Sequence, residues 1–136
     1  ATKAFIDGGH LAPYLDFAKD LGVHFVQVLE PKAVGHYNGA NVLLTEKHIK
    51  KLETFFSTTN HSKAYRDHPI LMYHGYHQRR VGCFAGSRSV YIDSAGDVHA
   101  CPFCHTSSFN ILQLIREGNM NIPKKENSCP QFGKIA

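Results

Sequence analysis

No stretch of this chain approaches the roughly 20 apolar residues that a membrane-spanning helix needs, because polar residues interrupt every hydrophobic segment within a few positions. A transmembrane reading is excluded on that ground. The start also lacks the pattern of a secretory signal, a basic stretch followed by an apolar one and a small-residue cleavage site, so a cytoplasmic location is expected. Charge of one sign is scarce too. Lys and Arg number 15 against 11 Asp and Glu, a net +4 with His neutral, which is too mild for a nucleic-acid binder with stacking aromatics on a basic face. Internal repeats and low-complexity tracts are missing. What remains is 136 residues, 43% hydrophobic and 19% charged, about one globular domain's worth of chain with a modest core. The chain opens on Ala1 rather than Met and reads as part of a longer protein.

The first half alternates strand and helix signals. Lys3 to Asp7 reads as the end of a strand and Gly8-Gly9 as the turn after it. Leu11, Tyr14, Leu15, Ala18 and Leu21 recur at helical spacing, and Gly22 suits the left-handed residue that ends a helix. Val23 to Glu30, β-branched and aromatic and stopped by Pro31, reads as a buried strand. Together these form a β-α-β unit, which implies parallel strands. Residues 31 to 44 read as a long loop. Thr45 caps a helix with Ile49, Leu52, Phe55 and Phe56 on its apolar stripe and Lys47, Lys50 and Lys51 turned to water. Ser57 to Lys63 reads as a linker and Ile70 to Tyr73 as a further strand. His68, His74 and His77 near Arg79-Arg80 read as a solvated basic stretch.

The second half has a different grammar. Ser89 to Asp93 and Asp97 to Ala100 flank Ser94-Ala95-Gly96, a β-hairpin with glycine where positive φ is needed. An amphipathic helix is expected from Ser108 to Glu117, with Ile111, Leu112 and Ile115 inward and Gly118 at its end. Cys101-Pro102-Phe103-Cys104 follows the hairpin directly, so two thiols leave one turn. Cys83 precedes the first hairpin strand and Cys129 follows the last helix. Without an export signal, these four cysteines read first as metal ligands, for zinc or an iron-sulfur cluster. Disulfides, a redox pair and buried free thiols are the alternatives. A single C-x-x-C, where zinc ribbons carry two, shades the choice toward a cluster. His99 and His105 flank the ligands and either tune the centre or simply face water.

Cys83, twelve intervening residues, Gly96, four more and Cys101, with Tyr91-Ile92-Asp93-Ser94-Ala95-Gly96-Asp97-Val98 between and Pro102-Phe103 after, resembles the opening of SPASM and twitch domains. These are the auxiliary iron-sulfur modules of radical S-adenosylmethionine enzymes. Residues 3 to about 57 are similar to the closing strands and helices of the partial (β/α) barrel that precedes such a module. The resemblance implies an α/β chain in two parts: residues 1–66, the last β-α-β units of the barrel, and residues 67–136, a hairpin-plus-helix four-cysteine module. It implies one 4Fe-4S cluster on Cys83, Cys101, Cys104 and Cys129, with zinc as the alternative occupant. It also implies that Asp7, Gly8, Gly9 and Glu30, with His10 and Pro31, lie on the barrel's active face as cofactor- or substrate-binding candidates. The C-x-x-x-C-x-x-C motif that binds the catalytic cluster and S-adenosylmethionine is absent, so the chain alone is expected to be catalytically inert. Its partners would be the missing N-terminal barrel and a small-molecule or peptide substrate, with no membrane or nucleic acid. A second reading from another class is a four-cysteine zinc module for protein interaction.

Overall fold

The computed structural model describes residues 1–103 and 109–118, together with the backbone of short strands at 128–129 and 133–134. It is a mixed α/β chain that divides into two compact units, Ala1–His77 and Gln78–Ala136. The sequence divides it after residue 66; the strand at Ile70–Tyr73 pairs with one at Phe25–Val28, which keeps it in the first unit. No closed barrel forms among the described residues, and none of their helices is long and apolar enough to cross a membrane.

The first unit begins with helix α1 (Lys3–Asp7), not with the expected strand end. Thr2 decides this locally: its side chain accepts the Phe5 amide at 3.2 Å, an N-cap that a five-residue segment with Ala4 and a following glycine can exploit. Gly9, at φ 72°, makes the turn into α2 (Leu11–Asp20), which buries Leu15 and Ala18 and ends before Gly22 at φ 71°. Strand β1 (Phe25–Val28) follows. It is not buried on both sides: Phe25 is 60% exposed, whereas Val26 and Val28 pack on the core. The parallel unit is therefore built one step later than expected, from β1, helix α3 (Glu46–His61) and β2 (Ile70–Tyr73), with Phe25 opposite Ile70 and Val28 opposite Tyr73. Between β1 and α3 the chain runs as a loop with one 3-10 turn at Gly35–Tyr37.

Helix α3 absorbs most of the expected linker, because Ser57 to His61 continue its last turns. Thr59 is buried, and Asn60 uses both ends of its amide on β2: Nδ2 donates to the Leu71 carbonyl at 2.8 Å and Oδ1 accepts the Leu71 amide at 3.0 Å. One side chain thus satisfies a strand's backbone as a neighbouring strand would. The core beneath is Ile6, Leu15, Leu52, Phe56, Leu71 and Tyr73. Helix α4 (His74–Val81), unforeseen in the sequence, follows β2 without a break. Of the expected solvated basic stretch, His74, His77 and Arg80 are exposed, while His68 is only partly so. The His68 ring meets an Asp16 carboxylate oxygen at 2.9 Å, and His77 lies edge-on to Phe56.

In the second unit, β3 (Tyr91–Ile92) and β4 (Asp97–His99) form the expected hairpin, with Gly96 at φ 86° in its turn. A third strand, β5 (Phe109–Asn110), adds to β4. Asn110 then caps helix α5 (Ile111–Arg116) by accepting the amides of Leu112 and Gln113, while its Nδ2 donates to the Ala95 carbonyl and to Asp97. The helix is shorter than expected, and Leu112 and Ile115 are about half exposed rather than inward. Gly118 follows it at φ 66°. Strands β6 (Ser128–Cys129) and β7 (Gly133–Lys134) pair antiparallel.

Candidate metal centre

The second unit positions the cysteines through backbone turns. Helix α4 ends at Gly82, whose φ of 84° reverses the chain and whose amide donates to the Gln78 carbonyl at 3.0 Å. Cys83 follows and is buried, 7% exposed. The Phe84 carbonyl then accepts the amides of Ser87, Arg88 and Ser89, closing a tight turn with the Arg88 guanidinium over the Phe84 ring. Ala85 bridges Ser89. In the hairpin Tyr91 faces His99 and Ile92 faces Val98. Cys83 thus precedes the first arm of this hairpin and Cys101 follows the second.

Cys83 and Cys101 are free thiols, the first buried and the second partly so. Cys104 and His105 lie outside the described residues, and of Cys129 only the backbone of β6 is described. Among the described residues no three His, Cys, Asp or Glu side chains converge as a metal site. The two described donors are soft sulfur, one of them buried, a chemistry that suits zinc and an iron-sulfur centre alike. Gln78 Nε2 lies 3.8 Å from Cys83 Sγ. His99 does not face water. It is 7% exposed, and its Nε2 lies 3.2 Å from an Asp93 carboxylate oxygen. The Asp97 amide first, and then His99, hold the Asp93 carboxyl below its ordinary value.

The first unit separates the barrel-face candidates. Asp7, Gly8, Gly9 and His10 do not stand at the carboxyl end of a strand, because 3–7 is helical: Asp7 ends α1 and Gly8 is its C-cap. An acid at a helix C-terminus opposes the helix dipole, and two groups of α3 offset this. Lys51 Nζ donates to Asp7 Oδ1 at 2.7 Å, and His48 Nε2 lies 3.0 Å from Oδ2. Lys51 first, then His48, lower the Asp7 carboxyl to about 2. His48 Nδ1 is occupied by Thr45, whose amide lies at 3.3 Å and hydroxyl at 2.6 Å, so this network leaves the Nε2 proton facing Asp7. Gly8 has a packing role, since a Cβ there would stand 2.5 Å from the His10 ring.

Glu30 and Pro31 do lie just past the carboxyl end of β1. Glu30 Oε1 accepts the Tyr73 hydroxyl at 2.6 Å, and Lys32 Nζ lies 3.6 Å from Oε2. The Glu30 and Lys32 side chains are only 11% and 15% exposed. Tyr73, Lys32 and His48 were not singled out from the sequence. Tyr73 looks like an ordinary strand residue, and only the parallel register reveals its hydroxyl beside Glu30. An apolar cavity of about 310 Å³ lies beside β1, lined by Phe5, Leu11, Tyr14, Val26, Val28 and Phe55 among others. Its size is at the lower end of small-molecule sites. Comparison with protein families, curated proteins and solved structures finds no match for this chain.

Proposed function

We propose that this chain is the C-terminal portion of a radical S-adenosylmethionine enzyme, carrying the end of a partial (β/α) barrel and one auxiliary 4Fe-4S cluster on Cys83, Cys101, Cys104 and Cys129. The observation that carries the reading is the second unit's hairpin, with Gly96 in its turn and a free thiol beyond each arm, Cys83 before β3 and Cys101 after β4. The first unit supports it. Strands β1 and β2 run parallel with α3 as their crossover, and the sheet face bearing Phe25, Ile70 and Met72 is left 60%, 56% and 45% exposed. An uncovered apolar face of that kind suits a sheet on which a further layer packs.

The bound cluster would supply a one-electron relay or a structural staple. Four thiolate ligands leave no open iron, so the substrate binds elsewhere. Glu30, fixed by Tyr73, presents a carboxylate at the carboxyl end of β1, where a parallel sheet places its ligands. The S-adenosylmethionine chemistry belongs to the absent C-x-x-x-C-x-x-C motif, and a peptide or other small substrate would be chosen by the rest of the barrel and its bridging segments, in the cytoplasm.

Anaerobic reconstitution with iron and sulfide tests the reading. A brown protein with broad charge-transfer absorption in the visible blue, lost in Cys83→Ser, is expected. Stoichiometric zinc, with iron excluded under the same treatment, would replace the proposal by the zinc interaction module.

A further inference from the structure

We infer that the outer edge of β1 is a docking site for an extended segment of a partner protein, which pairs with the backbone of Phe25 and Gln27 and seats one bulky apolar side chain in the cavity beneath. The inference does not use the cysteines and holds whether or not they bind a metal. The Ile70 amide donates to the His24 carbonyl at 2.9 Å, and Phe25 lies opposite Ile70 in parallel register. In such a ladder alternate residues bond the same neighbour, so Val26 turns its backbone groups toward β2 while Phe25 and Gln27 turn theirs outward. The corresponding outward groups of β2, those of Leu71, are closed by the Asn60 side-chain amide. Among the described residues no hydrogen bond closes those of Phe25 and Gln27. Farther along the same edge the Ala1 amine donates to the Leu29 carbonyl at 2.6 Å, so the open stretch is Phe25 to Gln27. The edge is also unguarded, because Val23 to Leu29 contain no Lys, Pro or acidic residue.

The cavity of about 310 Å³ lies under this edge: it takes in Val26 to Leu29 of β1 but only Leu71 of β2, with Phe5 and Leu11 beyond. An added strand sends every second side chain to the helix side of the sheet, where the apolar walls accept one of leucine or phenylalanine size. An open ladder and an apolar hole one strand's width away are satisfied together by an extended peptide, main chain giving affinity and the pocket giving selectivity. A second copy of this chain does not supply that occupant. Its own β1 has Val26 and Val28 on the helix side, both already packed against its core.

Amide hydrogen exchange followed by NMR on the full chain tests this with a capped heptapeptide that alternates threonine with valine and carries phenylalanine at its centre. Saturating peptide should slow exchange at the Phe25 and Gln27 amides. Alanine at the peptide's centre should weaken binding about tenfold, and methylating the peptide's backbone amides should abolish it. Gln27→Pro, which removes an outward N–H and spares the ladder to β2, should lose the peptide, and Leu11→Trp, which fills the cavity, should weaken it. Unchanged exchange at both amides, or binding that survives backbone methylation, overturns the inference, and neither result depends on a variant that folds. Protection of the two amides before peptide is added also overturns it: protection that grows with protein concentration assigns the edge to a second copy, and protection that does not assigns it to the chain itself.

Discussion

At the scale of single residues, the first unit depends on a few charged side chains whose partners come from distant parts of the sequence. Asp7 has its carboxyl depressed from 3.8 to about 2 by Lys51 and His48. A group depressed in the folded state stabilises fully above its unfolded value and loses that contribution as pH falls toward the folded one. Wild type should therefore lose thermal stability between about pH 4 and pH 2 more steeply than Asp7→Asn, with their melting temperatures converging at the acid end; parallel curves would deny the ion pair its role. Tyr73 offers a second test. Its hydroxyl bonds a shielded carboxylate at 2.6 Å, so Tyr73→Phe should cost about 1.5–3 kcal/mol in urea unfolding, and a wild-type midpoint would contradict the assignment. Glu30 was legible as a candidate because Pro31 marks a strand end. Asp7 was misplaced because Phe5-Ile6 looks like a strand until the Thr2 cap is weighed.

At the scale of elements, long periodic segments were readable and short ones were not. The stripe of Leu52, Phe55 and Phe56 and the cap at Thr45 locate the start of α3, but polar Ser57 to His61 conceal its end. Only Asn60's two bonds to Leu71 explain why the helix runs on. Asn60→Ala should leave the buried Leu71 amide and carbonyl without those partners, at about 1–3 kcal/mol each, read as faster hydrogen exchange along β2. In the second unit the hairpin was legible from its glycine, whereas β5 was hidden by its two-residue length. Gly96 carries two constraints, φ 86° and an incoming Leu112 Cγ that would stand 2.8 Å from a new Cβ. Gly96→Ala should therefore destabilise the hairpin and α5 together, seen as coincident loss of their amide protection, while leaving β1 and β2 protected.

At the scale of the whole molecule, the chain divides into a parallel α/β unit with a bare apolar sheet face and a second, antiparallel unit that carries the thiols of Cys83 and Cys101. The interval between Cys83 and Cys101 was visible at once, and the structure adds only the hairpin that lies between them. The candidate barrel face was only half legible, since its position depends on which segments are strands. The central claim is that the four cysteines share one cubane cluster. Mössbauer spectroscopy of protein reconstituted with ⁵⁷Fe measures it most directly. The account predicts about four irons per chain in a single delocalised, thiolate-ligated environment, disrupted by Cys101→Ser. Iron held as isolated tetrahedral ions, or spectra indifferent to that substitution, would contradict it.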